Sequence, residues 1–204
     1  SNPHYNDEMA TLARGQRLVQ LHAHLRRFSK EDWRFLAHGF KWVRYNAATL
    51  SRTEQIPGDP LKGEPYGFAH FRGPRGILSL RNPSTLPQVI KVKLDASMGW
   101  FSEEATSAGT EDRFIADIVY PRRETLSSTL KYADALEVEL QAFEQMVVHI
   151  EPEKQVGPRL CGVRALETER QADSITWDVF GAPGEELEPI LRAGARPRRV
   201  LWNG

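Results

Sequence analysis

The chain has 204 residues, enough for one domain with its own core or for one domain and part of a second. Its 27 basic residues balance its 27 acidic ones, so no general field draws phosphate backbones or anionic lipid, and neither nucleic acid nor a membrane is an expected partner. A single cysteine, Cys161, can neither close an internal disulfide nor supply the thiolates of a zinc site; it reads as a small buried residue, and it leaves the compartment open.

No run approaches the roughly 18 apolar residues of a membrane span. Ser1 and Asn2 read as the scar of a cleaved tag, so a piece of something longer is expected.

From Tyr5 to about Leu50 the pattern is helical. Met9, Leu12, Leu18, Leu21, Leu25 and Phe28 recur at mostly three-, four- and seven-residue intervals and predict one long helix. A second helix follows at once: Ser29 can accept from the free N–H groups of its first turn, and Asp32, three residues on, completes a capping box. Trp33, Leu36, Phe40, Val43 and Ala47 continue its stripe. Two helices so closely joined predict an antiparallel hairpin, which buries its apolar faces poorly unless it lies on something else.

From Tyr66 to Glu151 the period drops to two. Ile90, Val92 and Leu94 alternate with Lys91 and Lys93, and Leu136, Val138 and Leu140 with Glu137 and Glu139, as in half-buried strands. Strands are also predicted at 66–71, 76–82, 113–120 and 144–151, with a loop over 98–112. Short alternating strands without intervening helices predict an antiparallel sandwich. Beyond Pro152, RLCGVRAL, DSITWDVFG and RPRRVLWNG predict three more strands, RPRR being a solvated strand face.

The chemistry-bearing residues are sparse. His22 and His24 sit about 200° apart round a helix and cannot hold one ion together. His38, His70 and His149 are isolated, with His149 alternating out of the Met146, Val148 and Ile150 face and expected to be exposed. There is no GxSxG, P-loop or GxGxxG string, and no metal or other cofactor is expected.

Two carboxylates at the correct separation can cleave a glycosidic bond, and Asp59 and Glu64 in GDPLKGEPYG are candidates, as are Glu103 and Glu104. The competing reading gives Asp59 an Asx turn before Pro60 and leaves Glu64 solvated or paired with Lys62. Tyr66, Trp100 and Trp177 are candidate platforms for stacking on a sugar ring, although large aromatics mostly fill sandwich cores.

The strings WRFLAHGFKWVRYNAATLSRT, GDPLKGEPYGFAHFRGPRGILSLRNPS and LEVELQAFEQMVVHIEPE together resemble the C-terminal part of bacterial melibiase-like α-galactosidase-type glycoside hydrolases, where the last helices of a (β/α)8 barrel run into an antiparallel β-sandwich. The likeness covers about residues 12 to 152. It implies that the catalytic aspartates lie on barrel strands upstream of residue 1, so this chain has no positions to inherit them, and that the parent protein is secreted or periplasmic.

The expected architecture is mostly β: a helical hairpin over 3–57, an antiparallel β-sandwich over 58–152 and further strands or the start of another β domain over 153–204. The expected role is non-catalytic support of a (β/α)8 barrel, with the barrel or a second copy meeting the hairpin; the alternative is a module that binds oligosaccharide through exposed aromatics.

Overall fold

The computed structural model describes residues 3–16, 28–105, 113–153, 158–161, 163–180, 186, 188–192 and 199–201. The protein is mostly β and antiparallel. The main sheet has six strands in the order β1 (Glu54–Ile56), β2 (Tyr66–Arg72), β3 (Arg75–Arg81), β8 (Gln145–Pro152), β5 (Phe114–Tyr120) and β6 (Glu124–Leu130). A second sheet pairs β4 (Gln88–Lys93) with β7 (Ala135–Leu140). Past residue 153, β9 (Arg159–Cys161) pairs with β12 (Ile190–Arg192), and β10 (Arg164–Arg170) with β11 (Ile175–Phe180).

The period-two pattern has its expected consequence. Ala69, Phe71, Leu78, Leu80, Met146, Val148 and Ile150 point from the main sheet toward Ile90, Val92, Leu136, Val138 and Leu140 of the second, giving one dry core. Trp100 is at its centre and has no exposed surface. Its indole stacks on Phe71 at 4.7 Å, meets the edge of Phe114 at 4.7 Å, and donates Nε1–H to the Gly73 carbonyl at 3.1 Å.

Helices cover the opposite face: α1 (Pro3–Leu12), α2 (Lys30–Tyr45) and α3 (Ala47–Leu50). Met9, Ala13, Leu50, Ile77 and Val147 form a second buried cluster there, flanked by Phe35, Trp42, Val43, Val119 and Tyr120. The capping box at Ser29 forms as the sequence predicts, with the Ser29 Oγ accepting from the Asp32 N–H and the Asp32 carboxylate accepting from the Ser29 N–H. Tyr5 stacks on Phe35 at 4.3 Å and donates its hydroxyl to Asp32 at 2.9 Å, tying α1 to α2. Burial, with the Asp32 carboxylate beside it, pushes that phenol up to about 12.

The long first helix is corrected: α1 ends at Leu12, and Leu18, Leu21 and Leu25 lie outside the described residues. The stop is tertiary. His70 Nε2 sits 3.0 Å from the Ala13 carbonyl, one of the oxygens a helix end leaves without a partner, and Gly15 turns the chain with φ +80. A Cβ at Gly15 would lie 2.8 Å from His70 Cε1 and 2.6 Å from the Leu50 carbonyl oxygen, so no other residue fits.

Other differences have equally specific causes. The predicted loop 98–112 starts at the last residue of a 3-10 turn, Ala96–Met98, and carries the helical turn α4 (Ser102–Ala105), while residues 106–112 lie outside the described residues. β1 and β6 escape the sequence because they are edge strands; β12 is three residues long and escapes because Gly and Pro surround it. Residues 199–201 of the predicted third C-terminal strand are not in a strand. The Cys161 side chain lies outside the described ones.

His149 is also corrected. It leaves the sandwich core as the alternation requires, but α2 covers it: Trp42 stacks on its ring at 5.8 Å and donates Nε1–H to His149 Nε2 at 3.2 Å. Accepting that bond requires a neutral ring. Burial, and then the positive Arg123 and Arg75, push its pKa down to about 3. Burial likewise lowers that of His70 against the opposing pull of two backbone carbonyls.

Both histidines are therefore more acidic folded than unfolded, where the value is about 6.5. As pH falls below 6.5 the unfolded chain takes up their protons first, so stability is full above that point and declines below it, by up to about 1.4 kcal/mol per pH unit for each. Urea titrations at pH 7.5 and 5.0 should show this loss, and His149→Gln, which keeps an acceptor for Trp42, should reduce the slope. Gly15→Ala should destabilise the protein by roughly 1–3 kcal/mol in the same assay, through strain at positive φ and overlap with Leu50 and His70.

Candidate functional site

The loop between β1 and β2 shows what its composition is for. Asp59 Oδ1 accepts from the Leu61 N–H at 3.0 Å, which caps the 3-10 turn Pro60–Lys62, and Asp59 Oδ2 pairs with Lys62 at 3.3 Å. Glu64 Oε2 reaches back 2.9 Å to the Asp59 N–H, and the Glu64 N–H donates to the Asp59 carbonyl at 3.0 Å. Glu64 is therefore an anchor of the loop while its side chain stays exposed. Gly58 is required because a Cβ there would overlap the Pro65 carbonyl. Both carboxylates take part in closing the turn.

The other carboxylate candidate, Glu103, is exposed on α4, and the Glu104 side chain lies outside the described ones. Among the described residues no three His, Cys, Asp or Glu side chains converge as a metal site would need. His22 and His24 lie outside the described residues. His38 is exposed, with Nδ1 2.8 Å from the Arg34 carbonyl.

The stacking candidates separate by burial. Trp100 is withdrawn: a core indole with its N–H satisfied has no face to offer a sugar. Trp177 is half-buried on β11, opposite Glu167 of β10. Tyr66 is half-buried and lines a cleft of about 290 Å³ between α1 and the end of the main sheet.

That cleft has a clear origin in the register. On the helix-facing side, β2, β3 and β8 present three cross-strand rows: His70, Ile77 and His149; Phe68, Ser79 and Val147; and Tyr66, Arg81 and Gln145. Helices cover the first row, while the last two help to line the cleft. Arg81 Nη2 donates to Asp7 at 3.0 Å, and its Nη1 is buried with no hydrogen-bond partner. Arg14 lies 4.9 Å over the Phe68 ring. Gln145 Nε2 donates to Ser79 Oγ at 3.0 Å, fixing the floor.

A third feature is apolar. Asn82, fully buried, donates to the Leu86, Leu140 and Gln141 carbonyls; Gln88 donates to Gly63; and the Phe143 N–H donates to Ser84. These bonds join the loops around residues 58–65, 82–87 and 141–144, which carry exposed Leu61, Leu86 and Phe143. Phe143 holds φ +56, an uncommon conformation for a bulky residue. The tips of α2 are similar, Trp33 being 46% and Tyr45 81% exposed. No hydropathy signal finds such surfaces, because only the fold decides which apolar side chains stay outside.

No protein-family model matches the chain, and no curated protein matches it. Solved structures do. The β-L-arabinopyranosidase Abp of family GH27 from Geobacillus stearothermophilus, bound to arabinose, is 14% identical with a TM-score of 0.46, covering 72% of this chain and 30% of its own. AmyP in complex with maltotriose is 12% identical with a TM-score of 0.36 over 62% of this chain and 22% of its own. The trehalulose synthase MutB is 15% identical with a TM-score of 0.33, over 59% and 18%. The chain thus spans less than a third of the length of each, and the likeness is one of partial fold.

Trp100→Ala should lower stability by about 3–5 kcal/mol in urea, the cost of emptying a large core site. It should do so as a folding defect, read by denaturation with no sugar present.

Proposed function

We propose that this chain is a non-catalytic, glycoside-hydrolase-associated β-sandwich region whose helical layer and loop end buttress a (β/α)8 barrel. The carrying observation is the pair of aromatic side chains, Trp33 and Tyr45, that α2 leaves exposed while the rest of the helical layer is pinned firmly to the sandwich. A helix fixed so rigidly has no folding reason to present two large aromatics to water, and a neighbouring domain gives one. The sequence strings that resemble the end of a melibiase-like enzyme name the kind of neighbour. Engagement of Asp59 and Glu64 in turn closure agrees with a supporting role.

The isolated chain should self-associate with rising concentration and bind a hydrophobic dye, and the double variant Trp33→Ser, Tyr45→Ser should lose both behaviours. Light scattering that finds a dye-negative, monodisperse monomer would overturn the reading. In parallel, aryl glycosides should not turn over; if they do, and Asp59→Asn with Glu64→Gln abolishes the activity, the chain is a glycosidase in its own right.

A second reading has its own support. Tyr66 is the one predicted stacking residue that lines a cleft beside fixed polar groups, as a carbohydrate-binding module needs.

A further inference from the structure

We infer that the cleft between α1 and the open end row of the main sheet takes acidic sugars, the carboxylate of a uronic acid residue lying between Arg14 and Arg81. This rests on the carbohydrate-binding reading and names the ligand class. The lining contains two guanidinium groups and, among the described residues, no carboxylate, although the chain as a whole is neutral. Asp7 compensates Arg81 from outside that lining, so Arg14 carries the cleft's excess positive charge.

The two arginines are held differently. The Arg14 guanidinium lies 4.9 Å over the Phe68 ring, a contact that favours one placement of its fork before any ligand arrives. Arg81 has one nitrogen on Asp7, which is exposed, and a second nitrogen that is buried and has no acceptor. A buried donor without an acceptor is costly, and an oxyanion entering beside it gives the guanidinium the bidentate partner it lacks. Bidentate binding requires the Arg81 head to turn from Asp7, so that the buried Nη1 reaches the cleft. Tyr66, in the same cross-strand row, offers its ring to the apolar face of the sugar, and Gln55 supplies a neutral polar group at the rim. A neutral oligosaccharide has hydroxyls for such a cleft but brings no anion to Arg14 or to the unpartnered Nη1 of Arg81.

Calorimetric titration of the whole chain with a galacturonic acid trimer, an uncharged galactose trimer and a glutamate tripeptide tests this. The galacturonic acid trimer should bind, more weakly at higher salt, while the other two bind at least about tenfold more weakly, the value of one charge-assisted hydrogen bond. Arg14→Gln, a surface change expected to leave the melting temperature in place, should weaken the acidic trimer by about the same factor. Tyr66→Leu should also weaken it.

Equal binding of the two sugars overturns the acidic class and leaves the carbohydrate reading standing. Equal binding of the tripeptide shows an anion site that does not recognise sugar. Binding of neither sugar removes both readings, and acidic-trimer binding unchanged by Arg14→Gln places the site elsewhere and overturns the inference.

Discussion

A single buried imidazole holds the helical layer to the sheet. His70 belongs to β2, yet its Nε2 meets the Ala13 carbonyl just beyond α1, and its Nδ1 meets the Thr53 hydroxyl and the Arg52 carbonyl, each at 3.1 Å, just beyond α3. A carbonyl cannot donate, so Nε2 carries the proton, and Nδ1 accepts from Thr53 in the neutral ring. The Arg52 carbonyl favours a second proton on Nδ1, but burial disfavours the charge more strongly. Three chain segments are thereby fixed by one side chain that has no surface in contact with water.

Much else follows from where that clamp stops α1. A helix ending at Leu12 leaves Arg14 beside the sheet rather than on a helix face, and Arg14 settles over Phe68. The row of Tyr66, Arg81 and Gln145 lies at the other end of the same strands, toward the start of α1, and lines the cleft. On the far side of the helical layer, Trp42 over His149 plays the matching part for α2. The Trp42 bond requires a neutral His149, and burial keeps His70 neutral as well, which couples the attachment of the helices to pH.

The other face of the sheet is simpler and carries most of the apolar burial. Trp100 closes it from a loop, and Asn82 ties the ends of the strands together with three carbonyl bonds. With the turn before β2 closed by Asp59 and Glu64, most polar groups at this end serve backbone order. Among the described residues, the loops and α2 carry exposed apolar side chains, and Arg14 and Arg81 line the cleft. The proposals assign the first to a neighbouring domain and the second to a ligand.

The sequence by itself determined the strands whose alternation runs six residues or more and has one dry face, which is why β2, β3, β4, β5, β7 and β8 were legible. It determined the capping box at Ser29 as well, since donor and acceptor lie within four residues. It also made GDPLKGEPYG a turn between two architectures, because Gly58, Asp59 and Glu64 act on their own neighbours. Only the tertiary structure decided where α1 ends, because its cap comes from His70, 57 residues along the chain from Ala13. For the same reason it decided that His149 is covered, that Trp100 is core, and that Arg14 and Arg81 share a cleft. Strand alternation names the face on which a side chain lies, but packing against distant segments decides whether that face is closed.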